Sequence, residues 1–168
     1  MGILDGNPKN EPMHYGEIFT VWESSMAAKG LVSCYQAYIY HSGDGELKEM
    51  LAELIDQARL EIKELDKLLT DNGIAPSPML PERPEVKLED IPVGARFSDP
   101  EIGAKIAMDT MAGLVGCSKA MALSIREDIG ALFAKYHVTK TALGLKILRM
   151  NKEKGWLIPP PLLVKKPE

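Results

Sequence analysis

Cysteine is almost missing from this chain of 168 residues. Cys34 and Cys117 are the only two, too few for a disulfide framework, so synthesis in a reducing cytoplasm is the default expectation. Aromatic residues make up 6% against a hydrophobic share of 45%, which excludes an aromatic-rich core and leaves an aliphatic one filled out by nine Met. Positive charge is not in surplus. The net charge is −4 and the isoelectric point about 5.5, which argues against nucleic acid as a partner, because phosphate binding needs a basic face. No basic segment followed by an apolar run opens the chain, so no secretory signal is expected. A long hydrophobic run without charge is lacking too. The most apolar stretch, 106–125, carries Asp109 and Lys119 and is full of Gly and Ala, so no membrane span is expected.

Proline is absent from 14–42 and from 46–72, and each stretch is long enough for a helix of seven to eight turns, roughly. The break between them is His41-Ser-Gly-Asp-Gly45. In the second stretch Leu47, Leu51, Leu54, Ala58, Leu65 and Leu68 recur at helical spacing, with a skip at Glu61. Gly73 suits the left-handed residue that ends such a helix. Residues 74–98 differ in kind, because Pro76, Pro78, Pro81, Pro84 and Pro92 forbid helix through most of the segment. A loop this long needs a reason. Extended, proline-stiffened chain of that length reaches about 75 Å, whereas a 27-residue helix is about 40 Å long. The segment can therefore run the height of a bundle. Ser98-Asp-Pro-Glu101 starts a third helix to about 123, with a cap, Pro in the first turn and an acid at the positive end. Ser124-Ile-Arg-Glu127 matches a capping box and places a fourth helix at about 125–154, ended by Gly155 with Trp156 as its apolar contact.

The expected fold is thus all-α: a ferritin-like four-helix bundle over 14–158 with a long crossover between helices two and three. Residues 1–13 read as a loose arm and 159–168 as a proline-rich tail. In such bundles two metals are held by one Glu from each of two helices and Glu-x-x-His from each of the others. Here Glu11-Pro-Met-His14 is the only Glu-x-x-His, with Pro12 inside it, so no di-iron centre and no cofactor is expected. A weaker carboxylate site survives. Glu23, Glu61, Glu64, Asp109 and His137 fall within about 9 Å along the bundle axis.

For three of these residues a plainer reading stands beside the ligand reading. A small rotation of helix two puts Ile62 inward and Glu61 on the rim, and that is the preferred reading. A buried Glu61 would have to be paired, protonated or ligating. His137 reads as a partly buried, hydrogen-bonded histidine, and Asp109 as a solvated edge beside Lys105 and Thr110. Helix three carries small residues at Gly103, Gly113, Gly116, Cys117 and Ala120. Glycine in a helix costs roughly 1 kcal/mol against Ala, and close helix approach is the usual compensation; a ligand niche is the alternative. Cys117 lacks an acid or His at helical spacing and reads as a small buried residue rather than a nucleophile. Arg126-Glu-Asp128 is expected to close the corner between helices three and four by salt bridges.

Three segments carry a family resemblance: Ile91-Pro-Val-Gly-Ala-Arg-Phe-Ser-Asp99, Cys117-Ser-Lys-Ala-Met-Ala-Leu-Ser-Ile-Arg-Glu-Asp-Ile129 and Lys152-Glu-Lys-Gly-Trp-Leu-Ile-Pro-Pro-Pro161. With them the chain, from His14 to its tail, resembles a family of uncharacterised ferritin-like proteins from spore-forming Bacillus-type bacteria, akin to the coat F class of spore coat proteins. The resemblance implies the fold, a spore coat destination and a structural role among other proteins or further copies of itself. It brings no catalytic residues. A metal-binding or oxidoreductase ferritin relative and a small-molecule binding module are the alternatives.

Overall fold

The computed structural model describes residues 11–163, and among these it contains α-helices and short 3-10 turns but no strand. The helices are α1 (Tyr15–His41), α2 (Gly45–Asp71), α3 (Asp99–Leu123) and α4 (Glu127–Glu153). Local chemistry sets most of their ends. His14 caps α1: its Nδ1 accepts the Gly16 N–H at 3.0 Å, while Glu17 reaches back to the His14 N–H at 3.0 Å. The Asp44 carboxylate accepts the Leu47 N–H at the start of α2. Ser98 and Glu101 form the capping box of α3. Gly73 and Gly155 have φ of 75° and 70° after α2 and α4, the left-handed region where a Cβ would be strained.

The corner between α3 and α4 departs from the sequence expectation. Ser124 does not open α4. It ends α3, donating its hydroxyl to the Ala120 carbonyl at 2.7 Å. The free N–H groups of the corner are served from α1 instead: Glu17 Oε1 accepts from both Ile125 and Arg126 at 2.9 Å. The arm expectation for 1–13 also changes where it can be checked. Residues 1–10 lie outside the described residues, but Glu11 is buried, its carbonyl accepts from Arg126 at 3.2 Å, and Met13 packs on the core.

These contacts fix which helix ends meet. The start of α1, the end of α2 and the α3–α4 corner share one end, through Glu17, Asn72 and Arg126. At the other end Ser42 and Gly43 donate to the Asp99 carboxylate at 2.8 and 3.1 Å, and Lys154 pairs with Asp44 at 2.7 Å. Hence α1 and α4 run one way and α2 and α3 the other. Residues 74–98 pass along α1 between those ends. Lys29 Nζ donates to the Ser77 carbonyl at 2.5 Å, Arg83 to the Ser33 carbonyl at 2.8 Å, and the Phe97 N–H to His41 Nδ1 at 3.1 Å.

The core is two clusters rather than one. Val32, Leu51, Ile55, Ile62, Ile106 and Ile147 belong to the first, and Val21, Leu65, Leu69, Ile129, Phe133 and Tyr136 to the second. On three helices a polar or small residue separates them: Ser25 between Val21 and Ala28, Gly113 between Ile106 and Cys117, and Lys140 between Tyr136 and Leu143. On α2 Glu61 lies beside Ile62, the last residue of the first cluster before Leu65 of the second.

Candidate functional site at the middle of the bundle

The polar layer between the two core clusters is the most chemically loaded part of the interior. Glu61 on α2 is buried, and so is Ile62 beside it. The preferred sequence reading, Glu61 on the rim, is therefore wrong. Burial of a carboxylate demands a partner, and Lys140 of α4 is that partner: its Nζ lies 2.6 and 2.8 Å from the two carboxylate oxygens. Gln57 adds an N–H at 3.0 Å. The stem of Lys140 reaches Glu61 past Gly113, where a Cβ would stand 3.0 Å from its Cδ. Gly113 thus serves passage of a lysine rather than helix contact alone.

Further pairs fan out from this layer. Tyr136 is buried and donates to Glu64 Oε2 at 2.9 Å, and Lys135 pairs with Glu64 at 2.5 Å. Burial by itself would raise the Glu64 carboxyl, but the Lys135 and Tyr136 hydrogen bonds and the lysine charge outweigh it and hold the group below the usual range. The Tyr136 hydroxyl is pushed up, first by burial and then by Glu64. On the opposite seam Tyr35 of α1 donates to Asp109 Oδ2 at 3.3 Å, and Lys105 pairs with Asp109. Burial, reinforced by Asp109, pushes the Tyr35 hydroxyl up as well. Asp109, at 15% side-chain exposure, is more enclosed than the solvated edge its neighbours suggested.

The two sides of the bundle differ. Ion pairs lace α2 to α4, through Glu53–Lys146, Glu61–Lys140 and Glu64–Lys135. Between α1 and α3 a cavity of about 480 Å³ opens instead, bordered by Glu23, Ala27, Asp109, Gly116 and Lys119, with Glu61 and Lys140 on its wall. Three of the five candidate ligands, Glu23, Glu61 and Asp109, border this cavity; Glu64 and His137 do not. His137 is partly exposed, and its carbonyl accepts from Thr141 at 2.8 Å. Among the described residues no group of three or more His, Cys, Asp or Glu is placed to hold a metal. The donor chemistry agrees. Glu61, Glu64 and Asp109 already face an ammonium each, so the residues present do not fit the two-metal centre of ferritin-like bundles.

The small-residue face of α3 divides by role. Gly103 is a close approach, since a Cβ there would meet Asn151 Oδ1 at 2.5 Å, and its carbonyl accepts from the Asn151 amide at 3.1 Å. Gly113 makes room for Lys140, and Gly116 borders the cavity with nothing within 4 Å of a built Cβ. Cys117 is buried, and burial pushes its thiol up to about 11.

Four buried or nearly buried polar side chains tie the interior together, of which sequence reasoning expected only Arg126, at the corner, and passed over the other three. Glu17 anchors the corner described above. Arg126 donates to Asn72 at 2.9 Å as well as to Glu11, and its salt bridge to Asp128 at 2.7 Å realises the expected closure of the corner. Lys29 joins Asp66 at 2.8 Å to the strap segment at Ser77. Lys140 is the fourth. A signal for Glu17 existed: it lies three residues after the capping position at His14.

A four-helix chain closed by such pairs can be set beside known proteins. It belongs to the family described as "Protein of unknown function (DUF3231)", whose model matches residues 1–168. It is 51% identical over 166 residues to "Uncharacterized protein YvdQ" of Bacillus subtilis (strain 168), covering 99% of this chain and 98% of that one. Among solved structures it is similar to a protein of Bacillus halodurans C-125 (BH2358) described as a "putative spore coat protein", with a TM-score of 0.93 and 47% identity over 95% of this chain and 100% of that chain.

Proposed function

We propose that this protein is a structural or interaction protein associated with the spore coat, without a catalytic centre of its own. The observation that carries the reading is the likeness to the Bacillus halodurans protein described as a "putative spore coat protein", nearly half identical along nearly the whole chain. The interior supports it: the buried acids are spent on lysines and on backbone N–H groups that hold helices together. In this reading the fold is the ferritin-like arrangement, and a relation to the coat F class follows from the same kinship. What supports that arrangement is the course of 74–98 along α1 from one end of the bundle to the other. Its partners are other coat proteins or further copies of itself; nucleic acid, membrane, metal and cofactor have no part in it. The test is a fluorescent fusion followed through sporulation in a Bacillus host. The fusion should gather as a shell around the developing spore. Fluorescence that stays evenly spread in the mother cell would refute the reading.

A further inference from the structure

We propose that the exposed face of α3 binds the same face of a second copy, in an antiparallel pair about a two-fold axis at the level of Thr110. The first observation is a mismatch between composition and burial. The stretch Val93–Leu123 contains a window apolar enough, by length and composition, to cross a membrane, yet only 22% of that window is buried. The surplus lies on one stripe. Ala104, Met108, Met111, Ala112, Val115 and Ala122 recur at helical spacing and are all exposed, Met108, Met111 and Val115 by 60, 60 and 64%. Leu145 and Leu148 continue it on α4, one and four residues beyond Gly144, the point where α4 touches Thr110 of α3. The outer face of α2 is built differently, with Glu49, Glu53, Asp56, Lys63 and Lys67. A continuous exposed apolar stripe on a small protein marks an interaction surface.

Charge selects the second copy as occupant. Along its rim the stripe carries an acid and a base, Glu101 and Lys119, each nine residues from Thr110. Both are exposed, and both lie on the Met108 side of the helix. A two-fold axis at Thr110 sets Glu101 of each copy against Lys119 of the other, closing both rims with opposite charge. Between the rims it sets Met108 against Ala112 and Ala104 against Gly116, large against small and small against small. A face that complements itself in this way is what an isologous dimer requires. The size fits too. Two helices about 38 Å long lying about 10 Å apart offer a face on the order of 700 Å², close to the roughly 800 Å² per partner of a stable interface. A lipid surface suits the stripe less, because α3 lies lengthwise against α4, through Gly103, Gly113 and Thr110, and its rims are charged. The pairing does not depend on where the protein resides.

Sedimentation equilibrium of the full chain is the test, with circular dichroism as the control for folding. The wild type should be a dimer at micromolar concentration. Val115→Lys and Met108→Lys, at exposed positions, should give folded monomers. Lys119→Glu should weaken association about tenfold, and adding Glu101→Lys should restore most of that loss in the dissociation constant. A wild type that stays monomeric, a dimer indifferent to Val115→Lys and Met108→Lys, or a monomer that instead floats with phosphatidylcholine–phosphatidylglycerol vesicles would each overturn the proposal. Failure of charge reversal to restore pairing would overturn the two-fold register.

Discussion

At mid-height of the bundle the ammonium of Lys140 and the carboxylate of Glu61 exclude each other's solvent, with side chains 19% and 7% exposed. Removing one partner of such a pair strands the other charge, whereas removing both leaves a patch that can pack. Lys140→Met should therefore lower the unfolding free energy by about 3 to 5 kcal/mol, and Lys140→Met with Glu61→Leu should recover most of it. Urea denaturation of both single variants and the double variant checks this, and a double loss equal to the sum of the single losses would mean the pair is not coupled. Glu64 predicts an acid dependence. Its carboxyl is held below the ordinary value of about 4.3, so its stabilisation is present above that value and is lost as pH falls through the lowered one. The stability gap between wild type and Glu64→Gln should close as the medium is acidified; a gap unchanged by pH would contradict the pairing. The thiols separate by burial, Cys34 exposed and Cys117 buried with its thiol raised. One thiol per chain should react rapidly in the native protein and the second only on unfolding. Two equally fast thiols, or none after unfolding without reductant, would contradict the placement.

On the scale of helices, the chain announces its elements through residues that cannot do otherwise. Proline between 76 and 92 forbids helix, and the glycines at 73 and 155 take the positive φ that a C-terminal turn needs. Ser98 and Glu101 act within one turn of chain, so their box is visible in sequence. Ser124 and Glu127 offer the same pattern without forming it, because the Ser124 N–H still serves the last turn of α3, at the Ala120 carbonyl, and the Ile125 and Arg126 N–H groups of the corner go to a distant carboxylate, Glu17. Such competition is not written locally. The same holds for Glu61: the helix-two seam leaves its position open to rim or core, and the deciding residue, Lys140, lies 79 positions away. The candidate site was thus only half legible, carboxylates at the right height but not their lysines. Glu17 gives the sharpest test of an element junction. Glu17→Ala leaves the Ile125 and Arg126 backbone N–H groups at this buried corner without their acceptor, and should cost about 3 kcal/mol or more in urea unfolding. A loss under about 1 kcal/mol would show that the corner closes without it.

For the molecule as a whole, three features belong together: a proline-stiffened strap tied down by Lys29 and Arg83, charges closed against each other inside, and an apolar stripe outside. The first two make a durable unit and the third gives it something to join. Spin labels placed at Tyr15 and Glu127, both exposed at the shared end, should lie much closer than labels at Tyr15 and Glu153, which α4 separates by about 40 Å. Equal distances would contradict the course of the chain. Whether such a unit serves the spore coat is decided most directly by fractionation. Spores of the organism that encodes the protein are purified, their coats are extracted, and the native protein is quantified by immunoblot in coat extract, spore interior and mother-cell lysate. A coat role predicts strong enrichment in the coat extract and loss from the decoated spore. Protein confined to the lysate or to the spore interior would contradict it.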